Sequence, residues 1–272
     1  MEFFSELEGI IETADPVRKR ARFDAFYRQW QARNVRSDEG FAAKCFESPS
    51  YAALCEVVSP KAVPKRKNPA SAEGQAVLLH AIAHIEYSAI DLALDHCYRF
   101  TGMPEAYYDD WLAVAEDEFR HFAMLHGMLD DLGFRYGDFP VHDALFEAAQ
   151  RTPTLIERMA IVPRYFEAGG LDATPQILKR FEAIKNDAFV TRIVSVLQTI
   201  LREEVDHVRK GDRWFAYACE REGVGKSVFF EIVERHYPGS YPRQRALNVE
   251  ARKAAGFACE ELERMAGENV CR

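Results

Sequence analysis

Between Ser71 and Gly211, apolar residues recur at three- and four-residue spacing in four long runs. Each run is interrupted by acids at positions that its own stripe assigns to the interior. Leu79, Ile82, Ala83, Ile90 and Ala93 share a face with Glu86. Trp111, Val114, Ala115, Phe122, Leu125, Met128, Leu129 and Leu132 share one with Glu118 and His121. Ile156, Met159, Ala160 and Pro163 run with Glu167, and Val190, Ile193, Val194, Leu197, Ile200, Leu201 and Val208 run with Glu204 and His207. Residues three and four apart on an α-helix lie on one face, so these acids and imidazoles point into otherwise apolar seams.

Breakers and caps set the elements. Ser71 caps a predicted helix that runs to about Phe100 and is ended by Thr101-Gly102. A second runs from near Pro104 to Leu132-Gly133. The Gly- and aromatic-rich connector 134–140 leads to a short helix over Val141 to Gln150. A third helix opens at Pro153 and ends at Gly169-Gly170, another follows Pro175 to about Asn186, and a long one spans Asp187 to Gly211. Upstream, Phe3, Phe4, Leu7, Ile10 and Ile11, then Phe23, Phe26, Tyr27 and Trp30, predict two short helices split near Asp15-Pro16. Pro60, Pro64 and Pro69 allow no long helix. Beyond Trp214, three or four short helices are expected, divided by Glu222-Gly223, Pro238-Gly239 and Gly256. Strand signals are nearly absent. The expectation is an all-α protein: a four-helix bundle over 69–215, with a helical and Pro-rich N-terminal extension (1–68) and a C-terminal helical extension (216–272), forming one compact unit.

Composition narrows the setting. The 272 residues, 48% of them hydrophobic, suffice to bury a large core. A net charge of -8 disfavours wholesale nucleic-acid binding, and the locally basic stretch Lys61 to Lys67 reads as a solvated linker. There is no run of 18 apolar residues, and the start lacks the basic and apolar regions of a signal peptide, so a cytoplasmic protein without a membrane partner is expected. Cys45, Cys55, Cys97, Cys219, Cys259 and Cys271 are scattered singly without a C-x-x-C, which suits reduced thiols.

The chemistry lies in the order of the buried groups: Glu86, then the tetrad Glu118-Phe-Arg-His121, then Glu167, then the tetrad Glu204-Val-Asp-His207. Glu86 precedes Glu118 by 32 residues and Glu167 precedes Glu204 by 37, which suggests two helical hairpins of common design. Burying four carboxylates costs several kcal/mol per unpaired charge, and two divalent cations would neutralise them. One Glu from each of two helices and Glu-x-x-His from each of two others is the ligand set of a carboxylate-bridged dimetal bundle. Glu118 with His121 and Glu204 with His207 would hold one ion each, Glu86 and Glu167 would complete the shells, and Glu118 and Glu204 would bridge as the catalytic carboxylates. Oxygen-rich ligation with one imidazole per ion suits iron, with manganese as the alternative. Asp117 and Glu203, each just before a tetrad, are expected to accept the free ring N–H of His207 and His121 respectively. Other groups carry less. His80, His84 and His126 sit on helix flanks, Glu157, Asp91 and Asp95 read as solvated or helix-pairing charges, and Pro163 is expected to kink the third helix.

These residues resemble the ferritin-like superfamily of dimetal carboxylate proteins. More closely, the strings from His80 to Ala93, Asp117 to His121, Tyr136 to Ala144, Gly170 to Pro175 and Glu203 to His207 are similar to a bacterial ferritin-like family of unassigned function. The resemblance implies the six ligands named above and an enzyme that activates dioxygen at two iron ions to oxidise or hydroxylate an organic substrate, drawing on an electron donor. Relatives at superfamily distance include a tRNA hydroxylase acting on a modified adenosine, which leaves tRNA as the one nucleic-acid partner to consider. Ferritins and manganese catalases keep iron handling or sensing and dimanganese peroxide disproportionation as alternatives. A monomer or homodimer is expected, since a storage cage would have to accommodate the extra helices. Where radical-forming relatives carry a Tyr four residues after the first tetrad His, this chain has Leu125, which disfavours a stored tyrosyl radical of that kind. Tyr87 and Tyr165 are expected to pack in the core. His142-Asp143 is a loop and helix-cap pair with a second reading at the metal entrance.

Overall fold

The computed structural model describes residues 1–36, 40–64, 68–184, 187–242 and 246–271. Among them the regular structure is helical, and the only extended pairings are isolated bridges between Glu2 and Arg36 and between Val57 and Val141. The expected all-α class is therefore observed. The last residues of the basic stretch, 65–67, and the predicted helix end at Asn186 lie outside the described residues. The chain divides into two compact units, Met1–Phe146 and Glu147–Arg272.

The first unit contains α1 (Phe3–Ile11), α2 (Pro16–Gln31), a 3-10 turn (Ser50–Ala53), α3 (Ala72–Arg99) and α4 (Glu105–Asp131), and it ends within α5 (Ala144–Arg151). Asp15 accepts from the Arg18 N–H at 2.8 Å with Pro16 in the first turn, and Ser71 accepts from the Gly74 N–H at 3.1 Å, so both caps fall where the sequence places them. α3 and α4 pair along the predicted stripes, and Leu79, Ala83, Ile90, Trp111, Ala115 and Leu125 are fully buried. α3 is long and apolar enough by composition to cross a membrane, but most of that window is buried inside the fold.

Two polar ties bind this hairpin to its surroundings. Lys19 is fully buried, forms an ion pair with Asp91 and donates to the Ile11 carbonyl (3.0 Å) and Ser50 (3.1 Å). Burial pushes the Lys19 ammonium down and the Asp91 carboxyl up in pKa, and each counters the other's shift. Tyr87 adds a hydrogen bond from its hydroxyl to the Ala14 carbonyl at 2.6 Å. The second tie docks the 134–142 connector. The Gly137 N–H donates to His80 Nε2 (2.9 Å), while His84 donates from Nε2 to the His142 carbonyl (2.8 Å) and accepts the Tyr136 hydroxyl at Nδ1 (3.0 Å). The connector then pairs with residues 56–58 through the Val58 N–H to the Val141 carbonyl (2.8 Å) and the Val141 N–H to the Glu56 carbonyl (2.9 Å).

The second unit holds the end of α5, then α6 (Leu155–Ile161), a π-helical segment (Val162–Glu167), α7 (Ala168–Glu182), α8 (Ala188–Glu222), α9 (Val228–His236), α10 (Val249–Ala254) and α11 (Cys259–Ala266). Three features differ from expectation. The third helix does not end at Gly169-Gly170, and Pro175 does not start a new one, because α7 runs through both. Pro175 has no N–H for the Leu171 carbonyl, and the Asn248 side chain supplies that donor at 3.2 Å. Nearby, Arg252 and Asp172, both buried, pair at 2.7 Å, and Arg252 also donates to the Ala168 carbonyl at 2.9 Å.

α8 likewise continues past Gly211 to Glu222, where Gly223 adopts the left-handed conformation (φ 67°) that ends it. Gly211 is a contact position: a Cβ there would lie 2.2 Å from Pro163 Cβ, so only a hydrogen lets α8 meet the π segment this closely. Pro163, where a kink is expected, lies in that π segment. The third difference concerns thiols. Cys259 and Cys271 form a disulfide, because the left-handed turn at Gly267 (φ 72°) brings the tail back until their Cα atoms are 5.9 Å apart. The other four cysteines are free, as expected.

Two outcomes follow. Gly211→Ala should destabilise the protein by about 1–3 kcal/mol through overpacking, against a helix-propensity gain of about 1 kcal/mol; an unchanged or raised melting temperature would refute the contact. Burial depresses His80 and His84 to pKa values of about 4. Unfolded histidines near 6.5 take up protons first as pH falls, so the contribution of the neutral rings is intact above 6.5 and is lost progressively down to about 4, on the order of 3 kcal/mol per ring at most. Chemical denaturation between pH 7 and 4 should show this loss and show less of it in His84→Gln.

Candidate metal centre

In the first unit the centre is built on the middle turns of α3 and α4. Glu86 is 4% exposed, Glu118 1% and His121 0%. One ligand atom from each lies within 4.8 Å of the others. His121 Nδ1 is 3.1 Å from Glu86 Oε2 and 3.6 Å from Glu118 Oε2, so one imidazole nitrogen faces both carboxylates. Burial by itself would push this ring's pKa down, but Glu118 and Glu86 outweigh that and raise it to about 11. Two buried carboxylates thus draw a proton onto the ring between them. A cluster of this kind could hold a metal ion.

The second unit carries the other tetrad on α8. His207 is fully buried, and its Nδ1 lies 3.3 Å from Glu204 Oε1, with the Glu204 side chain 15% exposed. The contact within each tetrad is therefore the same one, imidazole Nδ1 toward the Glu three residues earlier. Glu167 is the last residue of the π segment and is half-buried. π turns are rare within α-helices and are frequent at functional sites.

The remaining candidates have definite places. Asp117 is half-buried and ion-paired to Arg120 at 2.7 Å on its own helix, and Glu203 is half-buried on α8. His126 stacks on Phe122 (centroids 5.5 Å apart) on the outer flank of α4, with Asp130 3.8 Å away. His80 and His84 hold the connector and, with His142 and Phe139, line a shallow cleft. The Ala144 N–H meets His142 Nδ1 at 3.4 Å at the start of α5, the loop-and-cap arrangement expected of it. Asp91 pairs with Lys19, Asp95 with Arg99 at 2.7 Å, and Glu157 with Arg235 at 3.1 Å, all as charge partners. Tyr87 is buried in the core, Leu125 is fully buried, and Tyr165 packs on Tyr237 while sharing a hydrogen bond with Ser240 at 2.8 Å.

Sequence reading missed the buried arginines Arg158, Arg164 and Arg252. Arg158 donates to Thr152 (3.0 Å) and the Ala149 carbonyl (2.6 Å), closing the turn between α5 and α6. Arg164 lies four residues after Ala160 and three before Glu167, a spacing that puts it on the interior face of this helix, but an arginine there carries no signal of its buried partners.

Comparison with known proteins places the chain in a family. Residues 12–263 match the family model described as a protein of unknown function, DUF455. An uncharacterized protein of Haemophilus influenzae is 36% identical over 276 residues, covering 96% of this chain and 93% of the relative. No solved structure matches. With nearly its whole length inside the family model, this chain belongs to the DUF455 family.

Proposed function

We propose that Glu86, Glu118, His121, Glu167, Glu204 and His207 hold two metal ions, iron by preference and manganese as the alternative, and that the protein is an oxidoreductase using dioxygen to oxidise or hydroxylate an organic substrate. The observation that carries this reading is His121 set between two buried carboxylates, with the same imidazole-to-Glu contact repeated in the second tetrad. Hard carboxylate oxygens with one imidazole per ion fit this metal pair. Structural zinc would call for thiolates, and no cysteine lies among the ligands.

When bound, the ions would supply reduction of dioxygen and oxidation of the substrate. The protein's own part is positional. Glu118, Glu204, Glu86 and Glu167 would hold the ions through their carboxylates, with Glu118 and Glu204 as the bridging candidates. His121 would give up its ring proton to serve as a ligand. Asp117 and Glu203 are assigned to hold the ring N–H of His207 and His121 in the correct tautomer. The apolar seams around Glu86, Glu118 and His121 keep bulk water from these three groups, which strengthens the charge interactions among them. In this scheme the partners are dioxygen, an electron donor and a substrate yet to be identified.

After anaerobic reconstitution with Fe(II) or Mn(II), wild type should retain two ions per chain, and Glu118→Ala and His207→Ala should each retain at most one. Elemental analysis that finds no more metal in wild type than in the variants would refute the reading. Because Glu118 and Glu86 raise the His121 pKa well above its ordinary value, uptake at pH 7 should release at least one proton per chain. Apparent affinity should then rise about tenfold per pH unit between pH 6 and 8 for each proton released. Calorimetry in buffers of different ionisation enthalpy counts those protons, and Glu86→Gln should lower the count.

A further inference from the structure

Arg164 is fully buried in the second unit, and three helices and the turn after α10 converge on it. Its guanidinium carbon sits 4.7 Å from the Phe215 ring centroid on α8, 4.5 Å from Phe229 on α9 and 4.6 Å from Phe257 just after α10. Its Nε is 2.9 Å from Asp212 Oδ1, and its Nη2 donates to Glu261 Oε1 on α11 at 2.7 Å. Asp212 is also held by Lys226 at 2.7 Å. The charge of Arg164 is thus met by partners on α8 and α11, and the group does not need Glu167 as a counter-ion.

The place of this residue in the chain matters. A π turn widens the helix and forgoes the ordinary i to i+4 bonding, so it persists only where its surroundings fix it. Here the segment is fixed at three points. Pro163 is pressed on Gly211, Arg164 is locked among three phenylalanines and two carboxylates, and the Ala168 carbonyl receives Arg252 at 2.9 Å. Glu167 lies between the second and third of these points. A backbone held on both sides cannot slide by a residue, which is the movement that would turn the Glu167 side chain to another face.

We propose that Arg164 is a positioning residue that holds the π turn in register so that Glu167 is presented as a metal ligand, and that residues 212–261, from the C-terminal half of α8 to α11, supply the socket for it. This rests on the metal reading above. Arg164→Lys keeps the charge but cannot fill a planar slot between three rings, and Glu261→Gln removes one partner at the rim of the socket.

The test uses the full chain in two measurements. In the metal-free protein, hydrogen exchange of the amides in 162–168 should quicken about tenfold or more in both variants, with α3 and α4 unchanged. With Co(II) as the probe, wild type should bind two ions with a visible ligand-field spectrum, and both variants should show an altered spectrum and affinity lowered about 10- to 100-fold. Arg164→Met should be at least as impaired as Arg164→Lys; if it fails to fold, the Lys and Gln variants carry the result. Wild-type exchange in 162–168 overturns the proposal, and so does faster exchange with an unchanged cobalt spectrum and affinity, which would make Arg164 purely structural. In either case the metal reading stands. No cobalt uptake by wild type overturns both, with exchange still reporting whether Arg164 anchors the turn.

Discussion

Carboxylates buried in an apolar seam constrain the protein more than any other feature. A charge moved out of water must be matched nearby, and the chain meets this demand in two ways. Where the partner is a side chain, as in Lys19 with Asp91, Arg164 with Asp212 and Glu261, and Arg252 with Asp172, helices become fastened to one another. Where the partner is an imidazole, as with Glu86, Glu118 and His121, the buried groups form a cluster that could hold a metal ion.

This division of labour is visible in where the buried arginines fall. Removing one member of a buried pair typically costs about 3–5 kcal/mol, because the other charge remains desolvated. The extensions around the long helices are therefore part of the fold: α2 supplies Lys19 to α3, and α10 and α11 supply Arg252 and Glu261 to the neighbourhood of the π segment.

Much of this was legible in the chain because the long helices obey one period. Glu86, Glu118, His121 and His207 stand on unbroken stripes of apolar residues, and all are buried as those stripes require. Ser71 and Asp15 cap where their residue types predict, since local hydrogen bonding decides a helix start. Helix stops were less legible because tertiary partners override them. Pro175 is tolerated inside α7 because Asn248, distant in sequence, satisfies the freed carbonyl, and Gly211 marks a close approach that only packing reveals. Arg164 stood on the interior face, four residues after Ala160, but the rings and carboxylates that bury it come from residues 212–261 and leave no mark near it in the sequence. The Cys259 to Cys271 link depended on a left-handed turn at Gly267 that the spacing of cysteines does not announce. Lys19 did leave a signal, four residues before Phe23 and seven before Phe26 on one face, although a lysine there reads as amphipathic filler until its partner is seen.

The Lys19–Asp91 pair also limits how far the molecule can be simplified. A polypeptide begun at Ser71 would keep the long helices and every predicted ligand, yet it would leave the Asp91 carboxylate facing the space that α2 and Ser50 now fill. The smallest autonomous version of the first unit therefore begins before α2, and any chimera that grafts its ligand-bearing helices onto another scaffold must bring a buried cation for position 91 or replace the acid with an apolar residue of similar volume.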